Sequence, residues 1–196
     1  MNLKIITTPT IEPVSLVEAK LHLRVTTDTD NTLISDLITT ARQYCEAITN
    51  RALASATFEL ILDDFTDKIV LPMPPVESNT VSIKYTDSDS IETTLATTEY
   101  ILYTSEPAIL IPDYGIDWPS FTPYPTGAVK IRYTAGYRAA STDENLHIPE
   151  AIKQAILLVI GHFYENRQEY IVGQTIAKIP LAAESLLYPY HVWSFS

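Results

Sequence analysis

Six consecutive apolar residues, Ala155-Ile156-Leu157-Leu158-Val159-Ile160, constrain this chain more than any other feature. They follow Pro149 and Glu150, an opening that suits a helix: proline fits the first helical position and a carboxylate suits the positive end of the dipole. A helix without a polar face must be covered on more than one side. Each large aliphatic side chain withdrawn from water contributes about 1.5–3 kcal/mol, so leaving half of this run exposed is untenable. The cover must be a sheet, other helices or a neighbouring copy.

Two helices are expected before it. Ser15-Leu16-Val17-Glu18 has capping-box spacing, with Pro13 outside and the polar stretch 26–30 ending the helix. A longer one runs from about Asn31 to Asn50 with Asp30 as N-cap. Leu33, Ile34, Leu37, Ile38, Ala41, Tyr44, Cys45 and Ile48 form its apolar face, and Asp36, Arg42, Gln43 and Glu46 its polar one. Cys45 reads as a small core residue. A last short helix is expected from Pro180 to about Tyr188, stopped by Pro189.

The middle of the chain differs. Residues 55–137 hold four basic and twelve acidic residues, eight of the 13 prolines and half of the threonines, a composition of short strands and sharp turns. The expected strands are 57–62, 68–71, 80–85, 91–95, 100–103, 108–111 and 128–134. Val81, Ile83 and Tyr85 alternate with Ser82 and Lys84, and Val129, Ile131 and Tyr133 with Lys130 and Arg132, the period of a half-buried strand. Residues 86–90 read as a polar turn and 112–127 as a long packed loop. The fold expected is therefore α+β: N-terminal helices (1–54), an inserted antiparallel β module (55–137), and C-terminal helices with an aromatic tail (138–196) completing the bundle.

The formal charge of −11 is opposite in sign to that of a protein that holds nucleic acid by neutralising phosphates. One cysteine excludes an internal disulfide and a cysteine metal cage, and no apolar run reaches membrane-spanning length. With no secretory signal in residues 1–9, a soluble intracellular product without membrane attachment is expected. Neither glycine-rich phosphate loop nor nucleophile elbow occurs. His162 and Glu165 share a helix face, yet a catalytic zinc needs three protein ligands. Asp63, Asp64 and Asp67, and Asp87 and Asp89, read as solvated turns; Glu92 stands where a calcium loop needs glycine. No catalytic residue, metal or cofactor is assigned. Trp118, Phe121 and Tyr124 either pin the proline-rich loop to the sheet or form a receptor- or glycan-binding platform. The aromatics from Tyr188 to Phe195 either cap their own core or dock onto another protein.

The segment Pro13-Val14-Ser15-Leu16-Val17-Glu18-Ala19-Lys20-Leu21-His22-Leu23-Arg24-Val25 resembles the opening of head–tail connector (adaptor) proteins of tailed bacteriophages. The Leu33–Ile38 helix, Tyr44 to Leu53, Leu71 to Val76, Tyr133 to Tyr137, Pro149 to Arg167 with its Tyr164-Glu165-Asn166-Arg167, Ile179-Pro180 and Glu184 to Tyr190 continue the likeness in order. His191 departs from it, standing where arginine is expected; a charged contact there would be weaker or pH-dependent. The resemblance implies a non-enzymatic virion protein, synthesised in the bacterial host cytoplasm and placed at the head–tail junction. It implies a homo-oligomeric ring of roughly a dozen subunits beneath the portal, monomeric until assembly, that extends the DNA channel for non-specific passage. Its implied partners are the portal protein and a tail or tail-completion protein. On this reading Tyr164, Glu165, Arg167, Leu187, Tyr188, Tyr190, His191, Trp193 and Phe195 make intersubunit or portal contacts.

Overall fold

The computed structural model describes residues 2–138, 146–166 and 181–193. The described residues divide into two compact units, one containing residues 2–10 and 54–137, the other residues 11–53, 138, 146–166 and 181–193. The architecture is α+β, with four α-helices and two antiparallel sheets among the described residues.

All seven expected strands form in the first unit: β2 (Ala56–Leu62), β3 (Ile69–Leu71), β4 (Ser82–Thr86), β5 (Glu92–Thr94), β6 (Tyr100–Tyr103), β7 (Ala108–Pro112) and β8 (Val129–Ala135). They are joined by an unexpected one, β1 (Asn2–Thr7), which pairs antiparallel with β2. Residues 2–7, read from sequence as the start of the helical region, thus belong to the sheet. A lone six-residue edge strand with five exposed positions has no strong alternation to announce it. The five-stranded sheet runs β1-β2-β8-β4-β5 and the three-stranded sheet β3-β7-β6.

Alternation sets the burial. Phe58, Leu60, Ile83, Val129, Ile131 and Tyr133 are buried, and Phe58 stacks on its cross-strand partner Tyr133 at 5.8 Å. The Tyr133 hydroxyl donates to the Pro72 carbonyl and that of Tyr100 to the Val81 carbonyl, each at 2.9 Å, so both buried phenols are satisfied. Gly136, at φ +114°, is required by close approach: a Cβ would lie 2.2 Å from the Ala54 carbonyl oxygen.

The second unit holds α1 (Leu16–Leu23), α2 (Asn31–Thr49), α3 (Glu150–Glu165) and α4 (Leu181–Leu187). The capping box of α1 forms as expected: Glu18 N donates to Ser15 Oγ, and Ser15 N to the Glu18 carboxylate at 2.8 Å. Pro149 sits one position earlier than expected, as the extended N-cap of α3, its carbonyl accepting from Ile152 N and Lys153 N. The apolar helix is covered by the other helices: Ile152, Ala155, Ile156, Val159 and Ile160 are buried and α3 packs on α1, α2 and α4, while Leu157 and Leu158 stay half-exposed. The α4 helix ends at Leu187, but Pro189 continues the chain as a 3₁₀ turn, Tyr188–Tyr190; proline without an N–H is tolerated at the start of such a turn.

Arg42, assigned from periodicity to the polar face of α2, is buried. Its Nε donates to Glu12 at 2.7 Å and Nη1 to Glu46 at 2.7 Å. Burial pulls its pKa down, and the Glu12 hydrogen bond with the charges of Glu46 and Glu12 outweighs this and raises it. Cys45 is buried as expected, its thiol pushed up to about 12 by desolvation.

Candidate assembly interface

Helix α2 ends in a left-handed Asn50 and leaves its last carbonyls without intrahelical donors. The C-terminal segment supplies them. Val192 N donates to the Thr49 carbonyl at 2.9 Å, and His191 Nδ1 lies 2.6 Å from the Ile48 carbonyl. Because a carbonyl only accepts, Nδ1 carries the hydrogen there. In return Asn50 Nδ2 donates to the Val192 carbonyl at 3.2 Å, and the buried Arg51 donates through Nε to the Tyr190 carbonyl. Residues 190–192 are therefore held by their own chain.

Fixing that backbone leaves two rings outside. Tyr188 is 69% exposed and Trp193 57% exposed, with ring centroids 6.5 Å apart in an edge-to-face arrangement. His191 meets the Trp193 ring at 4.4 Å and 81°. The segment thus caps the end of a helix and leaves two aromatic rings, Tyr188 and Trp193, on the surface. Leu187 is fully buried and Tyr190 half-buried; their part is to anchor.

Tyr164 donates its hydroxyl to Asp30 Oδ2, tying the end of α3 to the start of α2. Asp30 is the N-cap of α2, as expected, but makes no side-chain cap hydrogen bond; its carboxylate accepts from this phenol instead. Glu165 is exposed. Arg167 and Phe195 lie outside the described residues. His162 approaches Asn166 at 3.4 Å, and among the described residues no three metal-binding side chains gather. No helix of the described residues is long and apolar enough to cross a membrane.

A second exposed apolar feature escaped the sequence reading. Val17 and Leu21, one turn apart on α1, are 75% and 79% exposed. The signal was present: apolar residues at 16, 17, 19, 21 and 23 of an eight-residue helix are more than one buried face can hold.

In the β unit, Trp118 stacks on Phe65 at 4.8 Å, Phe121 meets Tyr85 at 4.9 Å, and Trp118 Nε1 donates to the Thr66 carbonyl at 2.8 Å. These rings bind the proline-rich loop to its neighbours; of Trp118, Phe121 and Tyr124, Tyr124 alone is exposed, at 42%. Asp63 accepts from Gly127 N at 2.8 Å, which holds its carboxyl below the usual range. Asp87 accepts from Asp89 N and Ile91 N, closing the expected turn.

The chain matches the family model described as head completion protein over residues 14–194. Its fold is similar to a chain in the neck of an empty gene transfer agent (GTA) particle computed with C6 symmetry, at TM-score 0.79 and 22% identity, covering 100% of this chain and 98% of that one. It is also similar to a chain of the native GTA virion (TM-score 0.78, 24% identity) and one of the native neck computed with C12 symmetry (TM-score 0.72, 23% identity), with the same coverage. No curated protein matches significantly. With nearly its whole length accounted for by one family, the chain belongs to the head completion proteins.

Proposed function

We propose that this chain is a structural head–tail connector of a phage-like particle, assembling as a ring beneath the portal, extending the DNA channel and offering the platform to which a tail or tail-completion protein attaches. The observation that carries the reading is the family match across residues 14–194; the connector role follows from it. The ring is supported by the neck structures of the same fold, computed with six- and twelve-fold symmetry. A closed cyclic assembly needs two different, complementary patches on each subunit.

Within that role, Tyr188 and Trp193 make contact with the portal or a neighbouring subunit, joined by Val17 and Leu21. Large aromatic rings on a pinned backbone lose little conformational freedom on docking, which favours them as hot spots. Leu187, Tyr190 and His191 hold the segment in place, and Tyr164 holds the end of α3 that carries Glu165. The role is architectural and involves no reaction.

The test is co-sedimentation with portal-bearing, DNA-filled heads. Wild-type protein is expected in the pellet and the Y188A/W193A variant in the supernatant. Equal pelleting of both would remove the two rings from the interface.

A further inference from the structure

The outer face of the five-stranded sheet is basic in an acidic protein. Register places Lys4, Glu59, Arg132 and Ser82 in one cross-strand row, and Lys130 and Lys84 directly opposite each other in the next. Four of the unit's five basic residues therefore share this face, with only Glu59 and Glu92 among its twelve acidic ones. Glu92 bridges the lysines, 2.7 Å from Lys84 and 3.5 Å from Lys130, and Arg132 pairs with Glu59 at 2.7 Å. Lys84, Lys130 and Arg132 remain 46%, 40% and 54% exposed at the side chain.

One end of the same unit has the opposite sign. The Phe65–Trp118 and Tyr85–Phe121 contacts, with Ser88 N donating to the Thr122 carbonyl, gather three loops beyond the ends of β2 and β4. They carry Asp63, Asp64, Asp67, Asp87, Asp89 and Asp117, of which all but Asp87 are exposed.

Resting on the connector reading above, we infer that the basic sheet face of one copy docks against the acidic loop end of the next, a head-to-tail contact between β units. The two patches are different surfaces of one chain with complementary charge, which is what a cyclic interface requires. The carboxylates interleaved among the cations speak against DNA as the occupant, since phosphates would meet Glu59 and Glu92 as well as the lysines.

Charge exchange tests the contact in particles deficient in this chain and supplied with full-length protein. K84E/K130E alone, and D67K/D89K/D117K alone, are expected to restore tailed particles about tenfold less well than wild type, because each sets like charges face to face. An equal mixture of the two is expected to recover most of the loss, since alternating copies again present opposite charges. The neutral K84Q/K130Q, with circular dichroism of every variant, gives the same reading should a reversal fail to fold. Either reversal restoring particles as well as wild type, or folded variants that do not complement each other, would overturn the contact and leave the connector role standing. Loss of double-stranded DNA binding with unchanged particle yield would also overturn it, assigning the face to phosphates. Wild-type protein that restores nothing would instead refute the connector reading, and this contact with it.

Discussion

Arg51, one residue past the left-handed cap of α2, donates from a buried guanidinium to the backbone carbonyl of Tyr190, 139 positions later. This bond and the Val192–Thr49 and His191–Ile48 contacts turn an aromatic-rich C-terminal segment into a fixed surface. Arg51→Ala is expected to cost about 1.5–3 kcal/mol, the range for a hydrogen bond to a charged group. It should also speed amide exchange at Val192 and shift Trp193 fluorescence. Unchanged exchange at Val192 would show that the remaining contacts suffice.

The buried Arg42 supports a contrasting pair of substitutions. Glu12→Ala leaves the guanidinium, 7% exposed at the side chain, with Glu46 alone, and removing one member of a buried pair costs up to about 3–5 kcal/mol. Glu12 is itself 28% exposed, so the lower end of that range is expected. Replacing the cation and neutralising both partners together, as Arg42→Met with Glu12→Gln and Glu46→Gln, should cost less than Glu12→Ala alone in urea unfolding. The opposite order would mean that the ion pair stabilises the helix against an apolar substitute.

These two arginines mark where the sequence was legible and where it was not. Period-two alternation and turn residues located seven strands to within about two residues, and Ser15 with Glu18 located a helix start, because those signals are local. Arg42 was placed on the polar face because its partner Glu12 arrives from 30 residues upstream, which periodicity cannot register. Strand β1 was missed for the same reason, its pairing being with residues 57–61. For the candidate interface, counting aromatics drew attention to the tail. It could not separate Tyr190, turned to its own chain, from Tyr188 and Trp193, turned to solvent.

Glycine positions give a sharper comparison. At Gly136 a methyl group would sit 2.2 Å from the Ala54 carbonyl with φ at +114°, whereas at Gly115, φ +76°, nothing lies within 4 Å. Gly115→Ala should cost about 1 kcal/mol from backbone strain alone. Gly136→Ala should exceed about 3 kcal/mol or prevent folding of the β unit. Comparable melting temperatures for the two variants would contradict the close approach.

Acid should weaken the start of α1. The Glu18 carboxyl is held below its ordinary value by the Ser15 backbone N–H, then by the Ser15 hydroxyl, with Lys153 adding a smaller effect. A depressed folded pKa gives stability that is present above the unfolded value and lost as pH falls through the folded one. Ser15→Ala should cost about 0.5–2 kcal/mol at neutral pH. The difference between it and wild type should narrow below about pH 4, near the unfolded carboxylate value. A gap independent of pH would mean that the carboxylate contributes nothing to the cap.

The Cys45 thiol, buried and pushed up to about 12, is expected to resist a thiol reagent at pH 8 until the helical unit unfolds. Rapid labelling of folded protein would show that α2 opens locally.

The central claim is that this head completion protein is a physical joint between head and tail. Electron microscopy of particles assembled without the chain addresses it most directly. The account predicts filled heads without tails, and tailed particles once purified protein is added; tailed particles forming equally well in its absence would contradict it.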